Sequence, residues 1–203
     1  MNVTKSGLVG FALSVILSAA ALAQPVQTRR IAGTVEKADG GVLVVKPHSG
    51  EAVTVHIAEK ASVYAVSKGA MDDLKSNAFI GVGGMPQADG SQRAMQITVF
   101  AENQRGLGEG FRPWDRAPNS TMTNGTVDTR VASVDGPVLT VKYKGGEQKI
   151  VVPSDAVILA YSVSDKNELK PGAHIAIIGA KPRADGALDA DRVNVGRGDV
   201  VPR

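Results

Sequence analysis

The residues of this chain with the strongest chemical potential lie between two repeats. Arg112, Pro113, Trp114, Asp115 and Arg116 bring guanidinium, indole and carboxylate groups together, and Trp114 is the one tryptophan present. Two roles fit. Arg112, Trp114 and Asp115 form a lip over a groove and contact a ligand or partner, or Trp114 docks as a hydrophobic staple while Asp115 pairs with a nearby arginine. The second is preferred, because a lone tryptophan in a small protein is more often a buried anchor. Further on, Lys142, Lys144 and Lys149 fall within about one hairpin and suggest a basic face for an anionic ligand, such as an acidic glycan or envelope polymer.

His48 and His56 flank an expected hairpin. Neutral imidazole and thioether suit copper or zinc, so these two are the candidate metal ligands, with Met71, Met85 or Met95 as further ligands. Neither stands at i, i+2 or i, i+4 spacing to another ligand, as a metal-binding motif would require. Gly106, Gly108 and Gly110 imitate a phosphate loop, but such a loop needs a strand before it and a helix after it, and Arg112-Pro113 follows instead. No Ser, His and Asp stand in a motif that prepares a nucleophile. The expectation is a protein that is not an enzyme and needs no cofactor.

The elements that must position these residues come from a duplication over 29–99 and 123–195. Gly33-Thr34-Val35-Glu36 returns as Gly125-Thr126-Val127-Asp128, and Asp39-Gly40-Gly41-Val42-Leu43-Val44-Val45-Lys46 returns as Asp135-Gly136-Pro137-Val138-Leu139-Thr140-Val141-Lys142. Ala88-Asp89-Gly90 returns as Ala184-Asp185-Gly186. Each copy alternates apolar and polar residues in short runs bounded by Gly, Asp and Pro, which predicts strands joined by tight turns. The order in both is three strands, a short helix (near 68–76 and 165–169), then two strands. The fold class is all-β, with two tandem five-stranded OB-like β-barrels, each with a short helix between strands 3 and 4. The expected division is a signal peptide at 1–23, barrel one at 24–100, a Gly/Arg/Trp linker at 101–122 and barrel two at 123–203.

The signal peptide is read from Lys5, the apolar run Leu8–Leu17 and the small-residue site Ala21-Leu22-Ala23. It directs the mature chain, beginning at Gln24, to the periplasm or outside the cell. No later segment is long and apolar enough to span a membrane. With no cysteine, neither copy is held by a disulfide. The balance of 23 Lys+Arg against 20 Asp+Glu is a small, spread excess, and aromatics are few. Both features argue against a nucleic-acid partner.

The Gly-Thr-Val motif, Leu169-Lys170-Pro171-Gly172 before the fourth strand, and the Asp-Gly hairpin before the fifth resemble a group of secreted bacterial OB-like domains of unknown function. The segment Gly108–Asp115 followed by Ser120–Val127 is similar to the join between the two domains of tandem proteobacterial members. The resemblance implies a fold and an exported location, and no activity. The function expected from all of this is an exported, non-enzymatic binding or accessory protein of the cell envelope. The partner is an envelope protein or an anionic ligand. The alternatives are a periplasmic metal-binding accessory protein linked to transport and a structural partner of an envelope complex.

Overall fold

A computed structural model describes residues 27–202. The expected signal peptide lies outside the described residues. In chain order the strands are β1 (Arg29–Asp39), β2 (Val42–Pro47), β3 (Val53–Lys68), β4 (Phe79–Pro86), β5 (Gln92–Val99) and β6 (Gly110–Pro113). They continue as β7 (Thr121–Val131), β8 (Val138–Tyr143), β9 (Gly146–Val151), β10 (Val157–Ser164), β11 (His174–Pro182) and β12 (Leu188–Gly196). The protein is all-β. The expected helices are single 3-10 turns, Met71–Asp73 and Lys166–Glu168. Pro171-Gly172 closely follows the second turn, and only three residues are spent on each, so no longer helix forms.

One closed five-stranded barrel is present. Its circuit runs β1–β2–β3–β12–β11 and back to β1, with β3–β12 parallel and the other pairings antiparallel. Five further strands run in the order β5–β4–β7–β8–β9, with β10 between β3 and β5, and β5 meets β9 only through Gln92↔Ile150 and Arg93↔Val151.

The strands of residues 24–100 and of 123–203 are interleaved. The closed barrel takes three strands from the first copy and two from the second. Its core packs Ile31, Val35, Val45 and Val55 against Ile175, Ile177, Leu188 and Val193. The second core does the converse, packing Leu74, Ile80, Val82 and Ile97 against Val127, Leu139, Val141 and Ile150.

The cause is visible in β3. The sequence suggests a strand ending near Ile57 and a separate extended piece from Ser62. The chain instead runs on without reversal for 16 residues. Its first part pairs with β2, and its last part, Val63–Lys68, pairs antiparallel with β10. The chain therefore leaves the closed barrel along β3 and delivers Leu74, β4 and β5 to the other core. β10 carries the second copy back in the opposite sense, delivering Leu169, β11 and β12 to the closed barrel.

The repeated Gly-Thr-Val has a structural reason. A Cβ on Gly33 would lie 2.1 Å from the Lys46 carbonyl oxygen, and one on Gly125 would lie 2.4 Å from that of Lys142. In both copies the first strand bulges just beyond, between Val35 and Lys37 and between Val127 and Thr129. Glycine allows the close backbone approach, and the bulge supplies the bend a closing sheet needs.

Candidate functional site

The linker is not the irregular loop expected. Glu102–Gln104 makes a 3-10 turn, and β6 pairs with the start of β7, Gly110↔Asn124 through Pro113↔Thr121. Arg105 anchors the turn through Glu102 (Nε–Oε1 2.6 Å) and donates to the Asn77 carbonyl at 2.9 Å. Gly108 adopts φ +56°, and beside it the Leu107 carbonyl accepts from Asn124 Nδ2 at 2.9 Å. The Trp114 amide donates to the Ser120 carbonyl at 2.8 Å. These bonds hold the segment across β4 and β7.

Beneath it lies a cavity of about 470 Å³, within the range of small-ligand sites. It is formed by both copies and the linker together. Arg30 comes from β1, Gly81 and Gly83 from β4, and Gln96 and Thr98 from β5. Arg112 stands on β6, Met122 and Asn124 on β7, Tyr161 on β10, Ile178 on β11, and Arg192 and Asn194 on β12. Phe100, Trp114, Asp115 and Arg116 are also in the wall. A second groove of about 540 Å³ shares Arg30, Gln96, Trp114 and Arg116 and reaches His48.

Repeat-equivalent positions meet at the cavity: Gly83 with Ile178, Gln96 with Arg192, Thr98 with Asn194, Arg30 with Met122.

Trp114 lies directly over Gly83, where a Cβ would come within 2.4 Å of its Cη2. The indole is half-buried and lines both spaces, so it packs as an anchor and forms wall at once. Asp115 pairs with Arg30 at 3.6 Å. Arg112 donates Nη1 to the Gly108 carbonyl at 2.7 Å, and the Arg192 guanidinium sits 6.0 Å from the Tyr64 ring centroid. The lining thus carries four arginines and one aspartate. Burial pushes the Tyr161 phenol above its ordinary value, with the positive charge of Arg116 acting weakly against it, so Tyr161 is neutral near pH 7. Phe79, Phe100 and Tyr161 form a small aromatic run, with centroids 5.5 and 6.0 Å apart.

No protein family, curated protein or solved structure matches this chain. The resemblance to secreted OB-like domains therefore gains no support from those comparisons, and the site stands on its own geometry.

The other candidate residues lie elsewhere. The register Lys142↔Glu147 and Thr140↔Lys149 puts Lys142 and Lys149 on one exposed face of β8–β9, and Lys144 is exposed in the turn that joins the two strands. Glu147 sits in the same face, and Lys142 is paired with Asp128 at 3.0 Å, which offsets the basic character. The Lys144 amide donates to the Glu109 carboxylate at 2.9 Å, tying this hairpin to the linker. His48 and His56 are not brought together. The ladder from Val42↔His56 to Val45↔Val53 places them at opposite ends of the β2–β3 hairpin, about 20 Å apart along the strand at roughly 3.3 Å per residue. Among the described residues no group of three or more His, Asp or Glu is placed to hold a metal ion, and no helix is long and apolar enough to cross a membrane.

Arg30, Asn124, Arg192 and Asn194 escape sequence reasoning. The signal that could have found them is the chemical mismatch between copies: Ala32 against Asn124, Gln96 against Arg192, and Thr98 against Asn194.

Proposed function

We propose that this protein is an exported, non-enzymatic binding module of the cell envelope that holds a small anionic ligand in the cavity beneath Trp114. The observation that carries the reading is the charge of that lining, which includes Arg112 and Arg192 and a single carboxylate that Arg30 already engages. Fixed guanidiniums in a partly desolvated site favour carboxylate or phosphate strongly and bind them with directional hydrogen bonds. The non-enzymatic reading rests on the same lining. Arginine, asparagine and aromatic side chains bind and orient, and the one titrating phenol, Tyr161, is driven toward its neutral form. Export rests on the character of residues 1–23.

Both five-strand wraps are read here as OB-like barrels in tandem with exchanged strands. What supports this is that each circuit joins the first three strands of one copy to the last two of the other, in one order, around its own core. The exposed lysine face of β8–β9 then serves as a secondary contact surface for envelope material.

The test is thermal denaturation of the mature chain with citrate and inorganic phosphate, each against chloride at equal ionic strength. A ligand that binds only the folded state raises the midpoint. The expected result is a rise of several degrees that is lost in Arg112→Ala and Arg192→Gln. Equal midpoints in all salts would remove the anion site.

A further inference from the structure

We infer that the open edge of β1 at Arg29–Ala32 takes an acidic, extended segment of another protein as an added strand. The inference goes beyond the cavity ligand and does not rest on it.

β1 and β7 are paired alike along most of their length. β1 meets β11 over Arg29–Thr34 and β2 only from Gly33 onward. β7 meets β4 over Thr121–Thr126 and β8 only from Thr126 onward. The two strands differ at their starts. There β7 carries β6 on its second side, Gly110↔Asn124 through Pro113↔Thr121. Among the described residues no strand pairs with Arg29–Ala32 on the corresponding side of β1, and Arg29 and Arg30 are exposed. The Ala32 carbonyl accepts from the His48 amide at 3.3 Å, which fixes the side that Ala32 faces. Backbone groups alternate in direction along a strand, so the Ala32 N–H and both backbone groups of Arg30 face the open side as well. An extended peptide adds to such an edge through its main chain and is selected through its alternate side chains.

β6 supplies the register. Thr34↔Lys46 in β1–β2 corresponds to Thr126↔Lys142 in β7–β8. A segment laid on β1 as β6 lies on β7 sets its first residue opposite Ala32, its third opposite Arg30 and its fourth opposite Arg29. The residue before it takes the place of Glu109, whose carboxylate accepts from the Lys144 amide at 2.9 Å; here the amide it meets is that of His48.

Charge selects the occupant. The groove of about 540 Å³ beside this edge holds Arg30, His48 and Arg116, with Met95, Trp114 and Val157 as its apolar wall, and no carboxylate among its lining residues. Acidic side chains opposite Arg30 and Arg29 complement that field, since opposite charges across a strand pair stabilise it. The same two arginines disfavour a second copy, because pairing β1 edge to edge brings like charges together.

The experiment titrates the full mature chain with a labelled Ser-Glu-Gly-Phe-Glu-Glu-Ser peptide, read by fluorescence anisotropy. One control replaces its glutamates with lysines. The other is N-methylated at the glutamate opposite Arg30, which keeps every charge and removes one strand hydrogen bond. The acidic peptide is expected to bind roughly tenfold or more tightly than either control. Arg30→Glu is expected to reverse the order of the acidic and lysine peptides. Equal binding of the N-methylated and parent peptides would reduce the contact to charge and overturn the added strand. No binding of the acidic peptide, or binding that Arg30→Glu leaves unchanged, would also overturn it. So would a dimer of the chain alone that the acidic peptide dissolves, since the edge would then belong to a second copy.

Discussion

At the scale of single residues, the cavity depends on what is missing from β4 as much as on what lines it. Gly83 has no side chain where the Trp114 ring lies, and Gly81 has none where Asn124 Oδ1 and Phe100 approach to 2.7 and 2.9 Å of a Cβ position. Gly83→Ala is expected to lift the indole from the sheet, shift its emission to the red and lower stability by about 1–3 kcal/mol through overpacking. Unchanged emission would show that the ring does not rest there. Tyr161 gives a prediction in pH. Its folded-state pKa is raised above 10.0 by burial, so the folded chain holds the phenolic proton more tightly than the unfolded chain does. The contribution of the neutral phenol is fully present below the unfolded value and is lost as pH rises through the folded one. Tyr161→Phe is therefore expected to flatten the alkaline fall in melting temperature relative to the parent chain. Parallel curves for the two would count against a buried phenol.

At the scale of elements, the tight approach of β1 to β2 and of β7 to β8 is required for each wrap to curve. Gly33→Ala places a methyl 2.1 Å from the backbone oxygen of Lys46, and Gly125→Ala does the same at 2.4 Å from Lys142. Backbone on both sides leaves no side chain free to yield. Each substitution is expected to lower the denaturation midpoint, and the pair should be close to additive because the two glycines serve different cores. The core strands give a second measure. Leu188 is 1% exposed and belongs to one core, Leu139 is 0% exposed and belongs to the other. Either leucine to alanine is expected to cost about 2–5 kcal/mol, checked by chemical denaturation. These motifs were legible in the sequence. Gly-Thr-Val, the Asp-Gly turns and the alternating runs predict strands joined by tight turns, and the structure places β1, β2, β7 and β8 on those runs. The β6–β7 hairpin was hidden because Gly110–Pro113 carries glycine and proline, which read as loop, and its pairing is with a strand already assigned elsewhere.

At the scale of the whole molecule, the interleaving of strands makes the two halves of the chain interdependent. Cutting the chain between Gly106 and Gly110 is expected to leave the two pieces bound to each other, since β3 pairs with both β10 and β12, and β4 with β7. Residues 24–100 alone lack the β11 and β12 that close the first barrel. They are expected to stay unfolded or to pair as a dimer in which each chain supplies the other's last strands, read by size-exclusion chromatography with light scattering. A cooperative, monomeric fold from 24–100 would show that exchange is dispensable.

The residues alone determined the all-β class and the faces of the strands, because alternation and turn chemistry are local properties. They could not decide which copy a strand completes. β4 and β5 present the same apolar face to the core of their own copy as to that of the other, so periodicity is identical in both arrangements. That choice is made by β3 running straight past Ile57 instead of turning back. The cavity follows from the same choice. Only when β12 of the second copy crosses to the first barrel do Arg192 and Asn194 come to line one space with Gly83, Trp114 and Asn124, residues that no sequence spacing relates.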